Sequence, residues 1–381
     1  LQKLFNPSAP VISYIRLTMG ASDFSTKDFS YDDDTVGQTI PAIEKFNLDN
    51  DTVDVIPVLK EILLINPNLK IMASPWSPPA WMKTKGVMDG LQGGNDGNKL
   101  KTAYYAAYSN YFVKYIKAMA SHGITIDAIT IQNEPMYPGA SEYSSYPAMP
   151  MSAIEQANFI KNNLGPAFRS AGLNTKIVIF DHNFNLSDYP KTVLYDGGAN
   201  TFVDGTAFHC YGGSVNAMGE IHNLYPDKKL YFTECSGGGW KTDPKDILHS
   251  FFGDLFIGVP NNWGVNVLLW NIALDENSGP VNGGCTNCRG VITVSSAGAV
   301  TKNYEYTVLS HANLVKPGAY RIGSSATEAD GVKLSAFQNP DGSKVVQLLN
   351  TNSVEKTVSI KLGERYINKK LDANQIVSLV W

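Results

Sequence analysis

Seven short apolar runs, each bounded by turn residues and separated by stretches with helical spacing, constrain this chain more than any other feature of it. Ile12–Met19, Lys70–Ser74, Asp127–Gln132, Lys176–Phe180, Val203–Tyr211, Lys229–Glu234 and Val265–Trp270 read as buried strands. Helices are expected at Val53–Leu64, Ala103–Ala120 and Ser152–Ala171, the last opened by a Ser152-Ala153-Ile154-Glu155 capping box. Tyr104, Tyr108, Tyr111, Phe112, Tyr115, Ile116 and Met119 recur at helical spacing and read as core. Strands alternating with helices over this length imply a parallel sheet, either doubly wound or closed into a barrel.

After residue 316 the helical spacing stops. Val332–Gln338, Lys344–Asn350, Val354–Ile360, Tyr366–Leu371 and Gln375–Val380 read as short strands joined by tight turns such as Asn339-Pro340-Asp341-Gly342. The expected organisation is an α/β domain over 1–316 and a small β-sandwich over 317–381. No low-complexity linker divides them, so the two are expected to pack together.

Charge narrows the partners. With 31 Lys+Arg against 35 Asp+Glu, a net charge of −4 and no long basic run, nothing suits a nucleic-acid backbone. No apolar stretch reaches the ~18 residues of a membrane span, and residues 1–20 do not read as a signal peptide. The 19 Tyr, 16 Phe and 6 Trp suit sugar faces as well as a core.

Two glutamates end predicted strands in Ile131-Gln132-Asn133-Glu134-Pro135 and Phe232-Thr233-Glu234-Cys235. Both would crown the C-terminal edge of the sheet, where a barrel gathers its reactive side chains. Glycosidic hydrolysis needs such a pair: one protonated carboxyl to release the leaving oxygen, one carboxylate facing the anomeric carbon. Cys210 and Cys235 read as buried thiols, and Cys285-Thr286-Asn287-Cys288 as a local disulfide rather than half a zinc site, so neither metal nor cofactor is expected. The glycines at 90–97 and 237–239 match no phosphate-loop spacing. Asn50-Asp51-Thr52 and Asn185-Leu186-Ser187 would accept glycans in a secreted protein.

Five blocks in order carry a family likeness: Ala73-Ser74-Pro75-Trp76-Ser77-Pro78-Pro79-Ala80-Trp81-Met82-Lys83, Asn133-Glu134-Pro135, Phe208-His209-Cys210-Tyr211, Thr233-Glu234-Cys235 and Trp270-Asn271-Ile272-Ala273-Leu274-Asp275. From about Tyr14 to the C-terminus the chain resembles glycoside hydrolase family 30, which contains glucosylceramidases and endo-β-1,6-glucanases. The resemblance implies a (β/α)8 TIM-type barrel with a β-sandwich side domain and retaining hydrolysis, with Glu134 as acid/base and Glu234 as nucleophile. It further implies that Asp23 binds sugar hydroxyls, that Trp76 and Trp270 wall the glycone pocket, and that Asn133 holds the 2-hydroxyl. Arg16 would support the nucleophile strand, Tyr211 would hydrogen-bond Glu234, and His209 would touch the sugar or form the wall. Glu134 must hold a proton near the working pH, and the charge of Glu234 is expected to favour that state.

Leu1–Phe5 resembles the end of the helix that follows the family's first barrel strand, so the first strand is missing from the sequence as read. An N-terminal segment, a second piece or another chain would then complete the barrel, since an unclosed one exposes strand edges. The loops Lys85–Lys99, Met136–Met151 and Asn277–Val291, with Tyr137, Tyr143 and Tyr146, are polar and suit a further sugar better than an acyl chain. β-1,6-linked glucan is therefore the expected substrate, glucosylceramide the alternative, and a broad β-glucosidase or a catalytically silent carbohydrate-binding protein the remaining readings. Secretion is the expected location.

Overall fold

A computed structural model describes residues 1–8, 11–35, 39–90, 97–136, 145–324 and 331–381. Six parallel strands pair in sequence order: β1 (Tyr14–Thr18), β2 (Lys70–Ser74), β3 (Ala128–Thr130), β4 (Lys176–Asn183), β5 (Val203–His209) and β6 (Lys229–Glu234). Every crossover carries helix, including Val55–Ile65, Tyr105–Ser121 and an uninterrupted run from Ala153–Phe159 through Ile160–Leu164 to Gly165–Ser170. The capping box is present, with Ser152 Oγ accepting from the Glu155 N–H and Glu155 accepting from the Ser152 N–H. The aromatic stripe of Tyr105–Ser121 is core as expected: Tyr108, Tyr111, Phe112, Tyr115 and Met119 are wholly enclosed.

The seventh expected strand, Val265–Trp270, is not a regular strand. It runs beside β6 and donates from the N–H groups of Val265, Leu268 and Trp270 to the carbonyls of Leu230, Phe232 and Cys235. The reciprocal ladder bond is replaced, because the Phe232 N–H donates to the Asn266 side chain instead of a backbone carbonyl. Among the described residues, β1 is paired along one edge only, to β2.

Side chains alternate across a strand with period two, and that alternation builds the interior in layers. One inward layer is apolar, made of Tyr14, Met72, Ala128, Val178, Ala207 and Tyr231. Two residues further along, the same strands present Arg16, Ser74, Thr130, His209 and Thr233. Strand β4 breaks the rule: its register against β5 shifts between Phe180 and His182, and both Phe180 and Asp181 have positive φ (73° and 65°). This bulge sends Phe180 into the outer cluster with Tyr189 and Phe208, and Asp181 inward to join the polar layer. The left-handed backbone costs about 1–2 kcal/mol per residue, which the bonds made by Asp181 offset.

The C-terminal part forms a sandwich. Tyr320–Arg321, Val332–Gln338, Lys344–Asn350 and Ile376–Val380 make one antiparallel sheet, and Lys356–Leu362 with Arg365–Leu371 the other. Val332, Ala336, Val346, Leu348, Leu371 and Val377 fill the space between. Leu349 and Ile376 join the main core, and Asp254 pairs with Lys333 at 2.6 Å, so the two parts are packed together.

Cys210 and Cys235 are not thiols. They form a disulfide between the residues that directly follow β5 and β6, a pairing hidden in the sequence because it joins strands that are neighbours only in the sheet. Cys285 and Cys288 are also joined.

Candidate active site

Every site residue singled out from the sequence comes to the C-terminal edge of the sheet. Arg16 lies in β1 and Asp23 in the turn after it; Trp76 follows β2; Asn133 and Glu134 follow β3. His209 ends β5 with Tyr211 two residues on, Glu234 ends β6, and Trp270 ends the extended segment beside β6.

The carboxylates are close. One oxygen of Glu134, one of Glu234 and a ring nitrogen of His209 lie within 4.8 Å of one another. Glu134 has a φ of 46°, a conformation held by its N–H donating to the Asp181 carbonyl at 3.0 Å. Glu234 is bracketed: Arg16 Nη1 donates to Oε2 at 2.7 Å and Tyr211 OH to Oε1 at 2.9 Å. Burial and the charge of Glu234 push the Tyr211 phenol well up, so it stays a donor. Arg16 also bonds Asn133 Oδ1 at 2.7 Å, leaving the Asn133 Nδ2 without a protein partner among the described residues. Its guanidinium lies 4.8 Å over Trp76, which stacks on Trp270 at 5.1 Å and an interplanar angle of 30°. Asp23 Oδ1 is buried and unpartnered; burial, then the Glu234 charge, push this carboxyl up to about 7. An enclosed carboxyl with an unused oxygen is suited to a sugar hydroxyl.

Sequence reasoning missed the residue on which this arrangement turns. Asp181, wholly buried, accepts from Arg16 Nη2, Ser74 Oγ, Thr130 Oγ1 and Thr233 Oγ1 at 2.7 Å each, and bonds His209 Nε2 at 3.0 Å. Burial alone would raise its pKa, but Arg16 and His209 hold it far below the usual carboxylate range. The strand-end rule that selected Glu134 and Glu234 would also have flagged Phe180-Asp181-His182.

His209 is part of the wall and part of the charge balance. Its Nδ1 is 2.9 Å from Glu134 Oε1 and its Nε2 faces Asp181. Burial opposes its charge, but Glu234, Asp181 and Glu134 together raise the imidazole pKa to about 10. Held as an imidazolium by these carboxylates, the ring donates from both nitrogens, to Glu134 and to Asp181. Proximity to Glu234 was expected to keep Glu134 protonated, and the balance of its neighbours runs the other way. Burial raises the Glu134 pKa, but the bond from His209 and the nearby His182 pull it below the ordinary glutamate value. Burial pushes Glu234 up, against the pull of His209 and Arg16.

Of the rim loops, Tyr137 and Tyr143 lie outside the described residues. The described parts of the first two are tied together by Lys83, wholly buried, whose Nζ donates to Ser77 Oγ and to the carbonyls of Met88 and Ala148. One side chain thus joins the loops that follow β2 and β3.

A parallel sheet with two strand-end glutamates in contact distance and stacked tryptophans beside them defines a retaining O-glycosyl hydrolase. Comparison with known proteins agrees: the glycosyl hydrolase family 30 TIM-barrel domain matches residues 1–311 and the family's beta sandwich domain residues 318–379. The chain belongs to glycoside hydrolase family 30. It is 35% identical to an endo-1,6-beta-D-glucanase of Aspergillus fumigatus, covering 96% of this chain and 76% of that one. It is 28% identical to the lysosomal acid glucosylceramidase of Mus musculus, covering 94% and 71%. The solved structure of an endo-beta1,6-glucanase superposes with a TM-score of 0.88 at 34% identity, over 100% of this chain and 85% of that one. Among the described residues, no helix is long and apolar enough to cross a membrane.

Proposed function

We propose that this protein is an endo-β-1,6-glucanase in which Glu234 is the nucleophile and Glu134 the acid/base. The observation that carries the mechanism is the closeness of the two carboxylates. With one oxygen of each within 4.8 Å, the pair fits the ~5–5.5 Å carboxyl separation of retaining enzymes better than the ~6.5–9.5 Å that an interposed water requires. Glu234 attacks the anomeric carbon as the glycosidic C–O bond breaks, and Glu134 gives its proton to the departing oxygen. A water then enters, Glu134 takes back a proton, and the new hydroxide–carbon bond releases Glu234. Asp23, Asn133, Trp76 and Trp270 hold the glucosyl unit, while Arg16 and Tyr211 carry the charge of the nucleophile. Neither metal nor cofactor has a part in these steps.

The linkage is supported by the likeness to endo-1,6-glucanases at 33–36% identity, against 28–32% for the glucosylceramidases and putative glucosylceramidases. An extracytoplasmic site of action fits the two disulfides, which persist in oxidising compartments. Hydrolysis of a linear β-1,6-glucan, gentiobiose and glucosylceramide, measured side by side, tests the reading. The expected result is rapid internal cleavage of the glucan; efficient cleavage of the lipid with none of the glucan would overturn it.

Protonation gives a second test. Activity is expected to peak on the acidic side of neutrality, because His209 keeps Glu134 below its ordinary value. His209→Gln removes the imidazolium that depresses both glutamates, so both limbs of the kcat/KM profile are expected to move to higher pH while the maximum falls. A variant with lower activity and an unmoved profile would show that His209 only shapes the wall.

A further inference from the structure

Between the loops after β5 and β6 and the helical run that starts at Pro244 lies a cavity of about 490 Å³, within the ~300–1,000 Å³ of ligand sites. Neither Trp76 nor Trp270 lines it. Its link to the chemistry is Tyr211, which lines it and donates to Glu234. Glu234 is thus flanked by two different surfaces. On its Oε2 stands Arg16, which lies over Trp76; on its Oε1 stands Tyr211, which opens to the cavity.

The lining suits carbohydrate. Trp240 is 54% exposed, yet its indole is held: it rests on the backbone of Gly238, where any side chain would collide with the ring. Gly238 is in turn fixed by pairing with Cys288. A flat aromatic face kept at the water boundary by a glycine matches the apolar face of a pyranose. Beside it, the Lys241 ammonium lines the cavity with no partner among the described residues, a donor available to hydroxyls. Asp254, paired through Oδ1 with Lys333, also lines the cavity, as do Phe184 and Phe251.

We propose that this cavity receives the glucosyl units on the leaving side of the scissile bond, with Trp240 as the stacking platform and Lys241 as a hydroxyl donor. The assignment rests on the β-1,6-glucanase reading and adds to it the device that distinguishes a glucan from a simple glucoside. A glycone held at Trp76 and Trp270 passes its anomeric carbon over Glu234, and the departing chain continues past Tyr211.

The test compares kcat/KM on an aryl β-glucoside with kcat/KM on β-1,6-linked gluco-oligosaccharides of increasing length, for the wild type, Trp240→Ala and Lys241→Ala. The wild type is expected to gain with length. Trp240→Ala is expected to lower the ratio of long oligosaccharide to aryl glucoside about tenfold, and Lys241→Ala a few-fold. Equal losses on both substrates, or an unchanged ratio in a wild type that cleaves the glucan, would overturn the cavity assignment alone. A wild type that cleaves glucosylceramide and no β-1,6-oligosaccharide would instead overturn the substrate reading, and this occupant with it.

Discussion

Glu234→Gln is expected to lower kcat at least about 10⁴-fold on every substrate, because no other group can form the bond to the anomeric carbon. Glu134→Gln is expected to behave differently. On β-1,6-glucan, whose leaving alkoxide needs a proton, it should lose about 10²–10⁴-fold. On an aryl glucoside with a strongly acidic phenol the first step needs no proton and is spared, so the covalent intermediate accumulates and a burst of phenol precedes slow turnover. Added azide, which needs no base, should then speed the second step. Burst kinetics with and without azide check both variants. Equal losses for Glu134→Gln on activated and unactivated substrates, with no azide effect, would reverse or remove the assignment.

Asp181→Asn is expected to damage both stability and activity although Asp181 touches no substrate. It leaves the buried cations Arg16 and His209 with one anion fewer, and loss of one partner from a buried pair costs about 3–5 kcal/mol. Urea unfolding at neutral pH should show a loss of that order. The sign with pH follows from the depressed carboxyl: its contribution is present above the ordinary aspartate value and disappears as pH falls through the lower folded value. The gap between variant and wild type should therefore narrow in acid. Activity should fall about 10²-fold, as Arg16 and His209 lose the anchor that aims them at Glu234 and Glu134. The imidazolium also loses support, so the pH profile should move as in His209→Gln. Unchanged stability with a reduced rate would make Asp181 a substrate contact instead of the anchor.

These two experiments divide along the line between what could be read and what could not. Glu134 and Glu234 were legible because each ends an apolar run and so falls at the reactive edge whichever way the sheet closes. Trp76, Asn133 and Trp270 were legible through motifs. Asp181 also stands at a strand end, but its inward position was not legible, because it depends on a register shift in β4. Counting by twos from Val178 points Phe180 inward and Asp181 away, and only pairing with β5 shows otherwise. The Cys210–Cys235 bridge was missed for the same reason: sequence spacing says nothing about two strand ends 25 residues apart that become neighbours across a sheet.

The sequence by itself determined the alternation of strand and helix, the change to a β-sandwich, and the placing of two carboxylates at strand ends, because periodicity and strand termini are local properties. Tertiary structure decided which groups share a charge. Strand β5 carries His209 between Glu134 and Asp181, and β1 carries Arg16 to Glu234. A proton's place depends on distances of a few ångströms inside a low-dielectric interior. Those distances exist only once β1 to β6 have been laid side by side.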